Sequence, residues 1–222
     1  MVVPCKRVAA HQDDWIIFRA GYMQHMGHAE QGIPAMAAEF EEVFQKTGRA
    51  RVELRRWNDD GEDLAEWIYR RCSSTRNVRI LAISYSWGVG YGFLRFARSC
   101  RRRGIRIAAV VMIDPVAHLG PYFFHLPAGL FLSQIAANWP PPYWPLQRLP
   151  RLKIRLPANI DRDHVYCYSQ KNGWLRGHQV VWQSDGDPAG QLFLDEFRTH
   201  RFMDECPEAR DRAFRLAHEL FP

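Results

Sequence analysis

The run Ile83-Ser84-Tyr85-Ser86-Trp87-Gly88-Val89-Gly90 joins a stretch of apolar residues to a helical pattern with almost no connecting chain. A chain that turns so sharply from strand to helix needs small residues around its tip, and Ser84, Gly88 and Gly90 supply them. Ser86 then projects from the tip at the carboxyl edge of the sheet. Its hydroxyl meets the positive end of the following helix, and the Trp87 N–H points into the same space. A serine nucleophile and half of an oxyanion hole are built together in this way. The competing use of Ser86 is as a helix N-cap, a position serine fills well.

A serine nucleophile needs a base, and the base needs an acid to orient it. Asp114 follows directly on an apolar run in Val111-Met112-Ile113-Asp114-Pro115-Val116, at the carboxyl edge of a strand expected beside the nucleophile strand. Its bland reading is a turn residue before proline. Nine histidines compete for the base. His200 stands between the last strand-like segment and the C-terminal helix, His178 in a Gly-flanked turn and His164 at a strand start. Metal chemistry has little support: His25-x-x-His28 has the spacing of two ligands on a helix, but no third ligand accompanies it. Gly88-x-Gly90-x-Gly92 lacks the full dinucleotide pattern, and no glycine loop leads into a lysine, so no cofactor is expected.

The elements that must position these residues follow from apolar periodicity. Trp15–Arg19, Arg51–Trp57, Val78–Ser84, Ile105–Ile113 and His164–Ser169 read as strands. Between them, Ile33, Met36, Ala37, Phe40, Val43 and Phe44 form one helical stripe, with Gly48 as a left-handed stop. Leu64, Ala65, Ile68 and Cys72 form a second, capped within Asn58-Asp59-Asp60. A third helix from about Gly88 carries Val89, Phe93, Phe96, Ala97 and Cys100, and closes in Arg101-Arg102-Arg103-Gly104. A last one starts at Pro207 with Ala213, Phe214, Ala217, Leu220 and Phe221. Alternation of this kind implies an α/β fold, with a mostly parallel sheet and helices on both faces. From Pro115 to Pro157 the pattern breaks: nine of the 14 prolines lie there with a dense set of aromatics. A cap insertion at about 115–160 is expected, and Tyr85, His118, Tyr122 and Phe123 are the expected substrate contacts; His125 lies in the same stretch.

At 222 residues the chain suits one domain with one sizeable core. Hydrophobic residues make up 47%, which excludes a disordered or low-complexity chain. The start, Met1–Ala10, lacks the apolar core of a secretory signal, and no run approaches the roughly 18 apolar residues of a membrane helix. Five scattered cysteines without a C-x-x-C pair fit reduced thiols and a cytoplasmic location. The net charge is +6, carried by 26 Arg and only 4 Lys. Arg95, Arg98, Arg101, Arg102, Arg103 and Arg106 cluster, as do Arg148, Arg151, Lys153 and Arg155. No aromatic-interleaved nucleic-acid motif accompanies them, so a solvated surface is preferred to a nucleic-acid partner.

Around Ser86 the sequence resembles the α/β-hydrolase superfamily, serine esterase and lipase type, and small bacterial or phage-type hydrolases within it. The familiar G-x-S-x-G becomes Ser84-x-Ser86-x-Gly88, with another small residue at the first position. The resemblance implies a catalytic Ser86, an acid at Asp114 as in lipases with an Asp-Pro pair after the next strand, and a histidine at His200. The order Ser86, Asp114, His200 matches the family's chain order. Where relatives carry the acid one strand later, the counterparts are Asp185 or Asp187. The second oxyanion donor is expected in Arg19-Ala20-Gly21-Tyr22-Met23, from Tyr22 or Met23, opposite that of Trp87. The stretch Trp15–Trp57 and the run Leu156-Pro157-Ala158-Asn159-Ile160 add to the likeness. The implied reaction is hydrolysis of a small apolar carboxylic ester through an acyl-enzyme, with amide or thioester hydrolysis open to the same residues. A non-catalytic basic binding protein on the same scaffold is the alternative.

Overall fold

A computed structural model describes residues 13–21, 31–116, 153–170, 179–198 and 200–222, with the backbone alone for residues 200 and 201. Six strands form one parallel sheet: β1 (Asp14–Arg19), β2 (Arg51–Arg55), β3 (Arg79–Tyr85), β4 (Ala109–Ile113), β6 (Val165–Gln170) and β8 (Gln191–Asp195). Their order is β2-β1-β3-β4-β6-β8. β5 (Lys153–Leu156) and β7 (Gln179–Trp182) pair in parallel as a second, two-stranded sheet.

The central strands are apolar on both faces because both faces are covered. Trp15 and Ile17 pack with Leu64, Ile68, Phe93, Phe96 and Cys100 on one side. These come from β1, α2 (Gly61–Arg71), and the helix that begins with a π-helical turn at Gly88–Phe93 and continues as α3 (Leu94–Arg102). Ile16 and Phe18 pack on the other side with Ile33, Phe40, Ala213 and Ala217. α1 (Gly32–Phe40), prolonged by a π-helical turn at Glu41–Gln45, and α4 (Pro207–Leu220) supply those residues. The expected α/β class, with a parallel sheet between two helical layers, is therefore present.

Local chemistry sets the boundaries. Asp60 caps α2, its carboxylate accepting from the Glu62 N–H at 2.9 Å, and Gly48 takes φ +75° after the first helical segment. Of the expected insertion at about 115–160, residues 117–152 lie outside the described residues. Lys153–Leu156 is β5, whose Ile154 and Leu156 are buried against the α2/α3 layer.

Part of the arginine cluster on α3 is paired with acidic residues of α2 and its cap. Arg102 and Arg103 of the α3 end pair with Glu62 and Glu66 of α2, and Arg95 approaches Asp60. Such pairs at the surface are worth little in stability, but they leave a mixed rather than a purely basic face. None of the described helices is long and apolar enough to cross a membrane. Cys72, Cys100, Cys167 and Cys206 are all thiols.

Candidate active site

The order in which successive strands are added reverses between β1 and β3: β2 lies outward on one side of β1, while β3, β4, β6 and β8 extend on the other. In open α/β sheets the crevice outside the carboxyl ends at such a switch is where ligands bind. Ser86 lies at that point, immediately after β3.

Its backbone is held in the left-handed region at φ 53°, uncommon for a residue with a side chain. The surroundings enforce this conformation. The Ser86 N–H donates to the Ile113 carbonyl at 3.0 Å, and the Ser86 carbonyl accepts from Val89 at 3.1 Å and Val116 at 3.2 Å. Gly88 permits the turn to close on β1: a Cβ there would stand 2.6 Å from the Ala20 oxygen and 2.9 Å from the Arg19 oxygen. The small-residue requirement read at Gly88 thus has a definite origin, the close passage of a neighbouring main chain. Ser84, the departure from glycine, is fully buried, and its Oγ makes no hydrogen bond.

Asp114 lies beside this turn. β3 and β4 are in register, with Tyr85 opposite Ile113, so Asp114 is the next residue along the neighbouring strand end. It too is left-handed, at φ 42°, and it has no exposed surface. Its N–H donates to the Tyr168 carbonyl at 2.6 Å. Its carboxylate accepts from the Gln170 side chain at 2.9 Å and from the Gln170 N–H at 3.4 Å. Two adjacent strand ends each place a polar residue in a costly backbone conformation.

Asp185 and Asp187 lie elsewhere. Both precede β8, at the amino edge of the sheet. Asp185 bonds Arg162 and Ser184, and the Arg162 guanidinium holds its carboxyl below the ordinary range. His164 precedes β6 at that same far edge, 3.6 Å from Asp161. Tyr22, Met23, His118, Tyr122, Phe123, His125 and His178 lie outside the described residues, as do His25 and His28.

His200 opens a 3-10 turn, His200–Glu205, between β8 and α4. This turn packs on α1 and β6 and carries buried Met203 and Asp204. Asp204 lies close enough to Tyr85 to act on its phenol. Burial, then the charges of Asp204 and Asp114, push that phenol well above its usual value. Tyr85 is 5% exposed, and its ring would meet a Cβ on Gly21 at 2.5 Å. The same Cβ would stand 3.2 Å from the Ser86 Cβ, which brings the turn after β1 directly against the elbow. The segment bearing His200, the β1 turn and the Ser86 elbow therefore meet around Tyr85.

Trp87 begins the helix after Ser86, at φ −65° and ψ −22°. Its ring is grouped with Trp57 and Tyr91, at centroid distances from Trp57 of 5.6 and 5.9 Å. One convergence of metal-ligand types occurs among the described residues, Asp195, Cys206 and Glu208. Arg198 already bridges its two carboxylates, which makes it an ion-pair cluster. Gln170, the partner of Asp114, was missed from the sequence; an amide at a strand end has no motif to mark it.

No protein-family model matches the chain, and no curated protein matches it. Among solved structures the chain is similar to YbtT, a type II thioesterase from the yersiniabactin NRPS/PKS biosynthetic pathway. The TM-score is 0.41 at 13% identity, covering 95% of this chain and 93% of that one.

Proposed function

We propose that the protein is a serine hydrolase of carboxylic esters, with Ser86 as nucleophile, Asp114 as the orienting acid and His200 as the base. The observation that carries this reading is the pair of left-handed residues, Ser86 and Asp114, on adjacent strand ends at the switch point of the sheet. Neither conformation serves a helix cap or an ordinary turn before proline, for which extended or right-handed backbone suffices.

In the proposed reaction His200 takes the proton of the Ser86 hydroxyl as its oxygen bonds to the ester carbonyl carbon. The carbonyl oxygen becomes an oxyanion, stabilised by the Trp87 N–H at the helix start and by the Tyr22 or Met23 N–H of the β1 turn. The carbon–oxygen bond to the alcohol then breaks, and the alcohol leaves with the proton held by His200. Water, deprotonated by the same histidine, attacks the acyl-enzyme, releases the acid and restores Ser86. Gln170 keeps the Asp114 carboxylate oriented, which is how a triad acid acts. Thioesters and amides present the same carbonyl geometry, and the scaffold does not select among them.

Purified protein is assayed on activated short-chain esters beside a Ser86→Ala variant. Turnover lost in the variant supports the reading, and undiminished turnover overturns it.

A further inference from the structure

We infer that Arg19 is a positioning residue for the proposed reaction, a fixed buried cation beneath the helix after Ser86 that favours negative charge on the oxyanion. It acts through its field and not by contact. The inference rests on Ser86 being the nucleophile.

Side chains alternate along β1, so Arg19 lies on the same face as Trp15 and Ile17, the face covered by α2 and α3. It is 1% exposed, and two glycines fix its course. A Cβ on Gly88 would stand 2.9 Å from the Arg19 carbonyl oxygen. One on Gly92 would stand 3.0 Å from Arg19 Nη1 and 3.3 Å from its Cδ. The side chain therefore runs from the elbow along the opening of the helix. At roughly 1.5 Å per residue, the charge lies on the order of 10 Å from the nucleophile.

The partners of Arg19 leave its charge able to act. Nη1 donates to the carbonyls of Asp59 at 2.9 Å and Arg56 at 3.3 Å, while Nε and Nη2 make no hydrogen bond among the described residues. Its bonds go to carbonyls, whereas Arg95, Arg102 and Arg103 each meet a carboxylate. Burial lowers this guanidinium to about 10, which keeps it charged at neutral pH. Asp59 and Asp60 act on it from the loop before α2, Arg55 from β2 and Cys100 from α3. Those two carboxylates are engaged with their own loop, accepting from the N–H groups of Arg56 and Glu62 at 2.9 Å. The Cys100 thiol is neutral, pushed up by burial.

A desolvated cation beside the positive end of a helix is costly in the resting protein. That cost falls when negative charge develops at Ser86, so the interaction is stronger in the transition state than in the ground state. At about 10 Å and an effective dielectric constant of about 20, the attraction corresponds to about tenfold in rate.

The test measures kcat and KM on vinyl acetate for the wild type, Arg19→Lys, Arg19→Gln and Arg19→Met, with the folded fraction of each fixed by urea titration. Lysine keeps the charge, and glutamine keeps a donor for the two carbonyls without it. The expected result is a kcat about tenfold lower in Arg19→Gln and Arg19→Met with KM nearly unchanged, and most of kcat retained in Arg19→Lys. Wild-type kcat in folded Arg19→Gln, or an equal loss in Arg19→Lys, overturns the role of the charge and leaves Ser86 as nucleophile. Failure of both neutral variants to fold also overturns it, by making Arg19 a structural residue. Absence of turnover by the wild type overturns the nucleophile reading first, and this role with it.

Discussion

Replacing Gly88 by alanine perturbs the contact on which the elbow geometry depends. The added Cβ meets two main-chain oxygens, of Ala20 at 2.6 Å and Arg19 at 2.9 Å, where ordinary contact begins at 3.4 Å. Neither oxygen belongs to a flexible side chain; both sit where β1 leaves the sheet. Relief therefore requires the elbow and the β1 turn to separate by several tenths of an ångström. Overpacking of this kind costs about 1–3 kcal/mol, which for a chain of this size lowers Tm by about 3–10 °C. The two segments forced apart are those proposed to hold the oxyanion, and a misplacement of about 1 Å is worth about 10²-fold in rate. Ester hydrolysis by Gly88→Ala is thus expected to lose about 10- to 100-fold, mainly in kcat. Gly186→Ala is the control. Gly186 has φ +77° with nothing within 4 Å of an added Cβ, at the opposite edge of the sheet. It should lose about 1–2 kcal/mol through backbone strain and keep its activity. Wild-type kcat in Gly88→Ala, or equal losses of activity in both variants, would refute the reasoning.

Other consequences follow from single contacts. Ser84→Ala removes a buried hydroxyl that makes no hydrogen bond, so it should raise Tm, by about 1 kcal/mol in stability, with activity retained. Gln170→Leu strips the 2.9 Å donor from the Asp114 carboxylate; kcat should fall about tenfold or more and stability by about 1–3 kcal/mol, measured by kinetics and urea titration. Burial pushes the thiols of Cys206 and Cys167 up to about 11 and about 12, against an ordinary 9.0. The unfolded chain releases those protons first, so their contribution is complete below pH 9 and is lost as pH rises through 11 to 12. The urea midpoint should accordingly decline over that range, and less steeply in Cys167→Ala.

The central architecture was legible because parallel strands covered on both faces must be continuously apolar. Trp15–Arg19 and Val78–Ser84 advertise themselves in this way, and the observed strands differ from them by one residue. Gly48 and Asp60 were equally readable, since a left-handed stop and a carboxylate cap are local chemistry. The strands β5, β7 and β8 were not assigned. β5 and β7 are only four residues long, and β8 turns Leu192 and Leu194 outward at the sheet edge, so it has no buried face to mark it. The expected strand Ile105–Ile113 begins only at Ala109, because Ile107 pairs instead with Ile160. The helix expected from Gly88 opens as a π-helical turn, which apolar spacing does not separate from an α-helix.

The positions of Ser86 and Asp114 at the ends of β3 and β4 were legible because a strand followed at once by a polar residue places that residue at the sheet edge. Arg19 was passed over, since a cation ending an apolar strand reads as a solvated terminus. Only the fold shows it buried beneath the helix after Ser86. Trp57 read as the last residue of a strand, whereas the strand stops at Arg55 and the ring belongs to the loop beyond.

Treatment with a biotinylated fluorophosphonate, followed by mass mapping of the modified peptide, tests the central claim most directly. The account predicts one adduct on Ser86, absent from Ser86→Ala and slowed in His200→Ala. An unmodified Ser86 in folded protein, or an adduct on another serine that survives in Ser86→Ala, would contradict it.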